Sequence, residues 1–145
     1  MSEKSSKKEK IDSITIQINA SILDALKTMD ATFRRLLLVF DGDQFKNILS
    51  IGDIQSAVLK NIPFETPVKE ILRKETLISN SNESPNIVQK RMFEQRIECM
   101  PIVNSNHRLV DVIFWEDIFS DLKAPAKNRF SIPVVIMAGG EGTRL

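Results

Sequence analysis

Apolar residues fall into two kinds of cluster along this chain. One kind is short and continuous: Leu36-Leu37-Leu38-Val39-Phe40, and later Met100-Pro101-Ile102-Val103. The other is spaced at helical intervals: Ile22, Ala25, Leu26 and Met29, then Ile87, Val88, Met92 and Phe93. Short continuous runs bounded by turn formers predict buried strands, and the spaced sets predict amphipathic helices. The two kinds alternate in the same order twice, which marks an internal repeat. In the first copy Leu36–Asp41 is followed by the turn Asp41-Gly42-Asp43 and a second strand, Asn47–Ser50, which leads into Asp53. In the second copy Met100–Ser105 overlaps the turn Asn104-Ser105-Asn106, and Asp111–Phe114 leads into Asp117. The copies are 64 residues apart from Asp53 to Asp117, and the same offset can be carried across both strands. The preceding helices match at 63, Ser21 with Ser84 and Met29 with Met92. This pattern predicts one extra residue between helix and strand in the second copy.

The boundaries carry their own signals. Ser21-Ile22-Leu23-Asp24 has the form of a capping box, and Ser84-Pro85 puts serine at a helix cap with proline behind it. The closing helices are expected from about Gly52 to Lys60 and from about Trp115 to Lys123. A shorter element leads into each copy. Thr66–Leu72 reads as a helical turn before an extended piece, Glu75–Ser79, and Ser13–Ile16 is the related piece of the first copy. One such unit leaves an apolar sheet face open, and two packed face to face would bury it. The expected fold is α/β (α+β), two repeats about a pseudo-twofold axis. Residues 1–10 read as a disordered tail, 11–65 and 66–123 as the two repeats, 124–131 as a linker, and 132–145 as the start of another domain.

From about Ile11 to Leu122 the chain resembles a tandem pair of CBS domains, a Bateman module. The resemblance rests on helix, apolar strand, and a second strand ending in a hydroxyl residue three positions before an aspartate. Met100-Pro101-Ile102-Val103 and Ser50-Ile51-Gly52-Asp53 carry it best. It implies that Ser50, Asp53 and Asp117 hold the ribose or phosphate of an adenine nucleotide (AMP, ADP or ATP) in clefts between the repeats, and that the module forms a homodimer. Two features depart from the family pattern. Asn47 and Asp111 stand where the family has glycine, and Phe114 stands where it has a hydroxyl.

After the linker, the apolar run Ile132–Ile136 enters Ala138-Gly139-Gly140-Glu141-Gly142-Thr143-Arg144-Leu145, with three glycines in four positions. Glycine lets backbone N–H groups approach phosphate oxygens closely. No Gly-Lys-Ser/Thr follows, and the spacing is not G-x-G-x-x-G, so neither common nucleotide loop is matched. The eight residues resemble the signature loop of the nucleotidyltransferases that make nucleotide sugars, the sugar-1-phosphate guanylyltransferases among them. That resemblance implies a truncated Rossmann-like domain in which Ala138, Gly139, Gly140, Gly142, Thr143 and Arg144 wrap a triphosphate. It also implies a Mg requirement in a longer parent enzyme. The chain alone is expected to be non-catalytic and to hold no cofactor or metal.

Composition adds mainly exclusions. A net charge of +1 over 145 residues offers no field for nucleic acid or a membrane surface. One cysteine excludes an intrachain disulfide. No apolar run approaches the ~18 residues of a membrane helix, and the lysine-rich start lacks an apolar core, so cytoplasm is the expected compartment. Several residues keep two readings. Ser50 and Asp53 fit a helix capping box as well as a ligand site. Asp117 lacks a hydroxyl partner, and Phe114 reads as core or as a base-stacking ring. Arg34, Arg35 and Arg96 precede the strands and read as phosphate contacts or as solvated charges. His107 reads as a surface turn residue and Cys99 as a buried spectator. Trp115, Phe119 and Leu122 form an apolar stripe for core or dimer. The function these readings support is a regulatory nucleotide-sensing module, with a purely structural or dimerising module as the rival.

Overall fold

The computed structural model describes residues 3–120. The apolar run Leu36–Asp41 forms β2, and its hairpin partner Gln44–Ser50 forms β3. Thr15–Gln17 forms β1, parallel to β2. A parallel pair needs a crossover, supplied by α2, Ile22–Thr32. Ile51–Leu59 forms α3 behind β3. The second repeat has the same plan: β4 (Ser79–Asn80), α4 (Pro85–Gln95), β5 (Cys99–Val103), β6 (Leu109–Phe114) and α5 (Trp115–Ser120). The sheet orders are β1-β2-β3 and β4-β5-β6, so each repeat holds a three-stranded mixed sheet.

The two sheets share a core. Leu37, Leu38, Val39 and Leu49 of the first belong to one buried cluster with Cys99, Val103, Val112 and Phe114 of the second. Burying side chains of this kind contributes roughly 1.5–3 kcal/mol each, so the repeats stabilise each other. On the outer face of the second sheet, Val88 and Met92 of α4 cover Met100 and Ile102.

Strand pairing corrects the expected register. Leu36 pairs with Ser50, and Cys99 pairs with Phe114. The first strands therefore correspond at an offset of 63 (Leu36 to Cys99) and the second strands at 64 (Ser50 to Phe114). The extra residue lies in the second hairpin turn, not between helix and strand. Between paired Asp41 and Gln44 stand Gly42 and Asp43, with Gly42 at φ +58°. The second turn holds Ser105, Asn106 and His107, with His107 at φ 54° and the Asn104 N–H donating to the Arg108 carbonyl.

α2 begins as expected, with Ser21 Oγ accepting the Asp24 N–H and the Asp24 carboxylate accepting the Ser21 N–H. Ser84 takes the cap position of α4 without a side-chain bond, and Pro85 opens the helix. The stripe on α4 is narrower than the sequence suggests. Val88 and Met92 are buried, whereas Ile87 and Phe93 are 55% and 67% exposed. Phe93 instead stacks on Trp115, with centroids 5.9 Å apart. Both helices end on a left-handed non-glycine residue, Phe33 and Arg96.

The N-terminus differs most from expectation. Residues 1–10 read as disordered, yet Glu3–Ser13 forms a helix, α1. Ile11 packs against the apolar core, and the remaining hold is electrostatic and comes from the other repeat. Lys7 pairs with Asp111, and Lys10 pairs with Glu116 and Asp117. The second lead-in, a 3-10 turn at Val68–Glu70, is tied to the first repeat by the Val68 N–H donating to Ala20 O and the Ile22 N–H donating to Thr66 O. The expected strand Ile132–Ile136 lies outside the described residues.

Candidate functional site

The end of β3 builds the candidate site. Ser50 closes the strand in an extended conformation and caps α3. Asp53 Oδ2 accepts the Ser50 N–H at 2.8 Å and the Ser50 hydroxyl at 2.6 Å. The capping-box reading of the sequence is thus correct as geometry. The structure adds a third member that sequence reasoning missed. Arg73, on the lead-in to the second repeat, donates from Nε to Asp53 Oδ1 and from Nη2 to Ser50 Oγ, both at 2.6 Å. Its carbonyl accepts a bond from Asn47 Nδ2 at 2.8 Å. Asn47, a departure from the family pattern, therefore anchors the segment that delivers Arg73.

The electrostatics follow from these contacts. Burial pushes the Asp53 carboxyl upward, but hydrogen bonds from Arg73 and Ser50 and the guanidinium charge outweigh it and hold the group below its usual range. The Asp53 side chain is only 10% exposed, whereas that of Arg73 is 58% exposed. The cation covers the carboxylate and remains in reach of solvent.

Above this cap lies a cavity of about 580 Å³ between the repeats. Leu36, Ile48, Ser50 and Arg73 line one side, and Arg96, Ile97, Glu98 and Cys99 line the other. Asp53 lines a separate groove of about 370 Å³, and Arg73 borders both spaces. The larger cavity combines apolar surface for a flat ring, two guanidinium groups for anionic oxygens, the Ser50 hydroxyl, and two opposing carboxylates, Glu75 and Glu98. Arg96 closes α4 in the left-handed conformation at φ 53°, as Phe33 closes α2, and from this cap it lines the cavity wall. Burial, mainly, pushes the Cys99 thiol up to about 12, so it is an inert wall rather than a nucleophile.

The corresponding place in the second repeat is filled. Phe114 occupies the position of Ser50, and its ring is core. Asp117 Oδ2 accepts the Phe114 N–H at 3.2 Å, repeating half of the capping box. Lys10 Nζ lies 3.9 Å from the Phe114 ring centroid and pairs with Glu116 at 3.0 Å and Asp117 at 3.4 Å. Arg34 pairs with Glu116 at 2.6 Å. Burial raises the Glu116 carboxyl, but bonds from its own N–H, from Arg34 and from Lys10 prevail and bring it to about 2. The space left beside Arg34, Arg35 and Phe114 is about 180 Å³.

The remaining candidates disperse. His107 is exposed in its turn, and Arg35 is exposed at the rim of the second cleft. Among the described residues no group of three or more His, Cys, Asp or Glu is placed to hold a metal ion, and no helix is long and apolar enough to cross a membrane. Leu122, the side chain of Phe119, and the glycine-rich loop residues Ala138, Gly139, Gly140, Gly142, Thr143 and Arg144 lie outside what is described. One sequence signal pointed to the missed residues: Lys10 and Arg73 stand 63 apart, a cation at the same place in each lead-in.

A family model described as the CBS domain matches residues 9–60, most of the first repeat. Homoserine O-acetyltransferase of Methanosalsum zhilinae is 28% identical over 110 residues, covering 75% of this chain and 22% of that protein. The chain spans about a fifth of the length of the curated relatives it matches. Protein MJ1225 of Methanocaldococcus jannaschii superposes with a TM-score of 0.66 at 20% identity, over 75% of this chain and 45% of that one. The CBS domain protein PAE2072 of Pyrobaculum aerophilum, complexed with AMP, superposes with a TM-score of 0.60 at 18% identity, over 72% of this chain and 81% of that one.

Proposed function

We propose, from the premise that this chain carries a tandem pair of CBS domains, that it is a regulatory module binding an adenine nucleotide in the cleft of Ser50 and Arg73. One observation carries the reading: a hydroxyl and two guanidinium groups converge on an apolar-floored cavity of about 580 Å³, within the size range of small-ligand sites. The likeness to a CBS protein complexed with AMP points to the same ligand class. Arg73 gives the binding step its chemistry. In the free protein both Asp53 oxygens are engaged, Oδ1 by Arg73 and Oδ2 by Ser50. An incoming phosphate draws the guanidinium away, and the freed Oδ1 accepts from a ribose hydroxyl. The exchange breaks the tie between the second lead-in and α3, so ligand binding favours one arrangement of the repeats.

The regulated partner in this proposal is a nucleotidyltransferase that makes a sugar nucleotide, such as a sugar-1-phosphate guanylyltransferase, with Mg held by residues of that domain. Support is the loop Ala138–Leu145 alone. The curated relatives bear the names of several different enzymes, which fits a module not tied to one reaction. Calorimetry with AMP, ADP and ATP tests the binding claim. Binding that weakens at least tenfold in Arg73→Ala and Asp53→Ala is expected. Absence of heat with all three nucleotides sinks it. A second reading, a structural or dimerising module without nucleotide, draws on the saturated Asp53 and on exposed Phe93, which stacks on half-buried Trp115.

A further inference from the structure

The two inter-repeat clefts are built on corresponding residues, yet the chain treats them differently. In the first, the lead-in cation Arg73 lies on an exposed irregular segment and borders open space. In the second, the corresponding cation Lys10 lies on α1, with its side chain 25% exposed. Lys10 is held by two carboxylates and the face of Phe114. Lys7, one turn earlier, is fixed to Asp111 at 2.9 Å. Asp111 corresponds to Asn47, so in both repeats this position anchors the opposing lead-in. Phe114 removes the hydroxyl that Ser50 offers, and its ring fills that volume.

We infer that α1 is a built-in plug of the second cleft: Lys10 takes the place of a ligand there, and the module binds one nucleotide per chain, at the first cleft only. The plug is mainly electrostatic, with Ile11 as its one apolar contact among the described residues of α1. Three groups on one short surface, Asp111, Glu116 and Asp117, face two lysines of a helix that has little apolar surface of its own to bury. The stoichiometry follows from the nucleotide reading above, whereas the docking of α1 does not depend on it.

Two measurements on the full chain separate these claims. Lys7→Glu/Lys10→Glu alters two partly exposed side chains and should leave the fold intact, with the urea midpoint as its control. Hydrogen exchange should show the amides of α1 exchanging at least tenfold faster in this variant, with β2 and β5 unchanged. Equal exchange in variant and wild type overturns the plug. AMP calorimetry should give one site in the wild type and a second, weaker site in Lys7→Glu/Lys10→Glu combined with Phe114→Ser. Two sites in the wild type, or one site in the variant with α1 released, overturn the claim that α1 excludes ligand. If AMP binds neither protein, the nucleotide reading fails with the stoichiometry, and exchange still decides whether α1 is docked.

Discussion

Replacing Asp53 with alanine isolates what the Ser50–Asp53–Arg73 cluster contributes before any ligand is added. The variant loses the acceptor of the Ser50 N–H and the partner of Arg73. Loss of a capping interaction costs about 1 kcal/mol, within a range of roughly 0.5–2. The Arg73 side chain is 58% exposed, so its ion pair belongs with surface pairs, worth about 0.2–1 kcal/mol after screening. The expected loss is therefore about 1–3 kcal/mol, or about 3–9 °C in Tm for a chain of this size. Urea denaturation followed by the fluorescence of Trp115, the single tryptophan, measures it. A double-mutant cycle with Arg73→Ala should return about 0.5–1 kcal/mol of coupling. Asp53→Asn keeps one oxygen to accept from Ser50 but sets an NH2 donor against Arg73 Nε–H, so it should retain the cap and lose the bond to Arg73. A loss below about 0.3 kcal/mol in Asp53→Ala, or a coupling of zero with Arg73→Ala, would refute the cluster as a structural tie.

Three further outcomes follow from the same geometry. Cys99, buried and with its thiol pushed up to about 12, should resist a disulfide reagent at pH 8 until the chain unfolds; rapid stoichiometric labelling of native protein contradicts its placement. Glu116 falls from 4.5 unfolded to about 2 folded, so it stabilises the fold above its unfolded value, and that contribution fades as pH drops from 4.5 towards 2. Glu116→Gln should flatten the acid limb of stability against pH, and an identical limb in both proteins counts against the Lys10–Glu116–Arg34 network. AMP at about a hundred times its Kd should add about 2.7 kcal/mol, seen as a Tm rise of roughly 5–10 °C that Arg73→Ala diminishes; an unchanged Tm removes the sensor reading.

The difference between what the sequence disclosed and what the structure required has physical causes. The α2 cap and the two hairpins were legible because each has a local signal: a serine–aspartate pair, or a turn former between apolar runs. The register of β5 was not. All five of its residues are buried, so no alternation of polar and apolar positions fixes the phase, and a slip of one residue leaves the pattern intact. Only pairing with β6 shows that the additional residue belongs to the turn. Arg73 was hidden for a different reason. It sits in the charged run Arg73-Lys74-Glu75, which reads as solvated, and its partners are 20 or more residues away in sequence. α1 was hidden likewise, since its partners lie about 104 residues downstream and it has no apolar stripe to reveal it.

If the proposed function holds, the cross-connections would constrain how the module transmits a signal. Each lead-in is bonded to the carboxylate of the opposite repeat's closing helix, Arg73 to Asp53 of α3 and Lys10 to Asp117 of α5. These ties span the axis between the repeats, where the buried cluster also joins both sheets. A ligand in the first cleft competes for one tie only. In the other, Lys10 is held by two half-exposed carboxylates and the face of Phe114, and its side chain is less exposed than that of Arg73. On the proposed reading, movement driven by binding would be confined to the second lead-in and the α3 end of the first repeat. Equal release on both sides would let the repeats slide symmetrically and transmit no direction. The pair of cations is unequal, Arg73 at 58% and Lys10 at 25% side-chain exposure, and on the proposed reading that difference would give a ligand-driven movement a defined side.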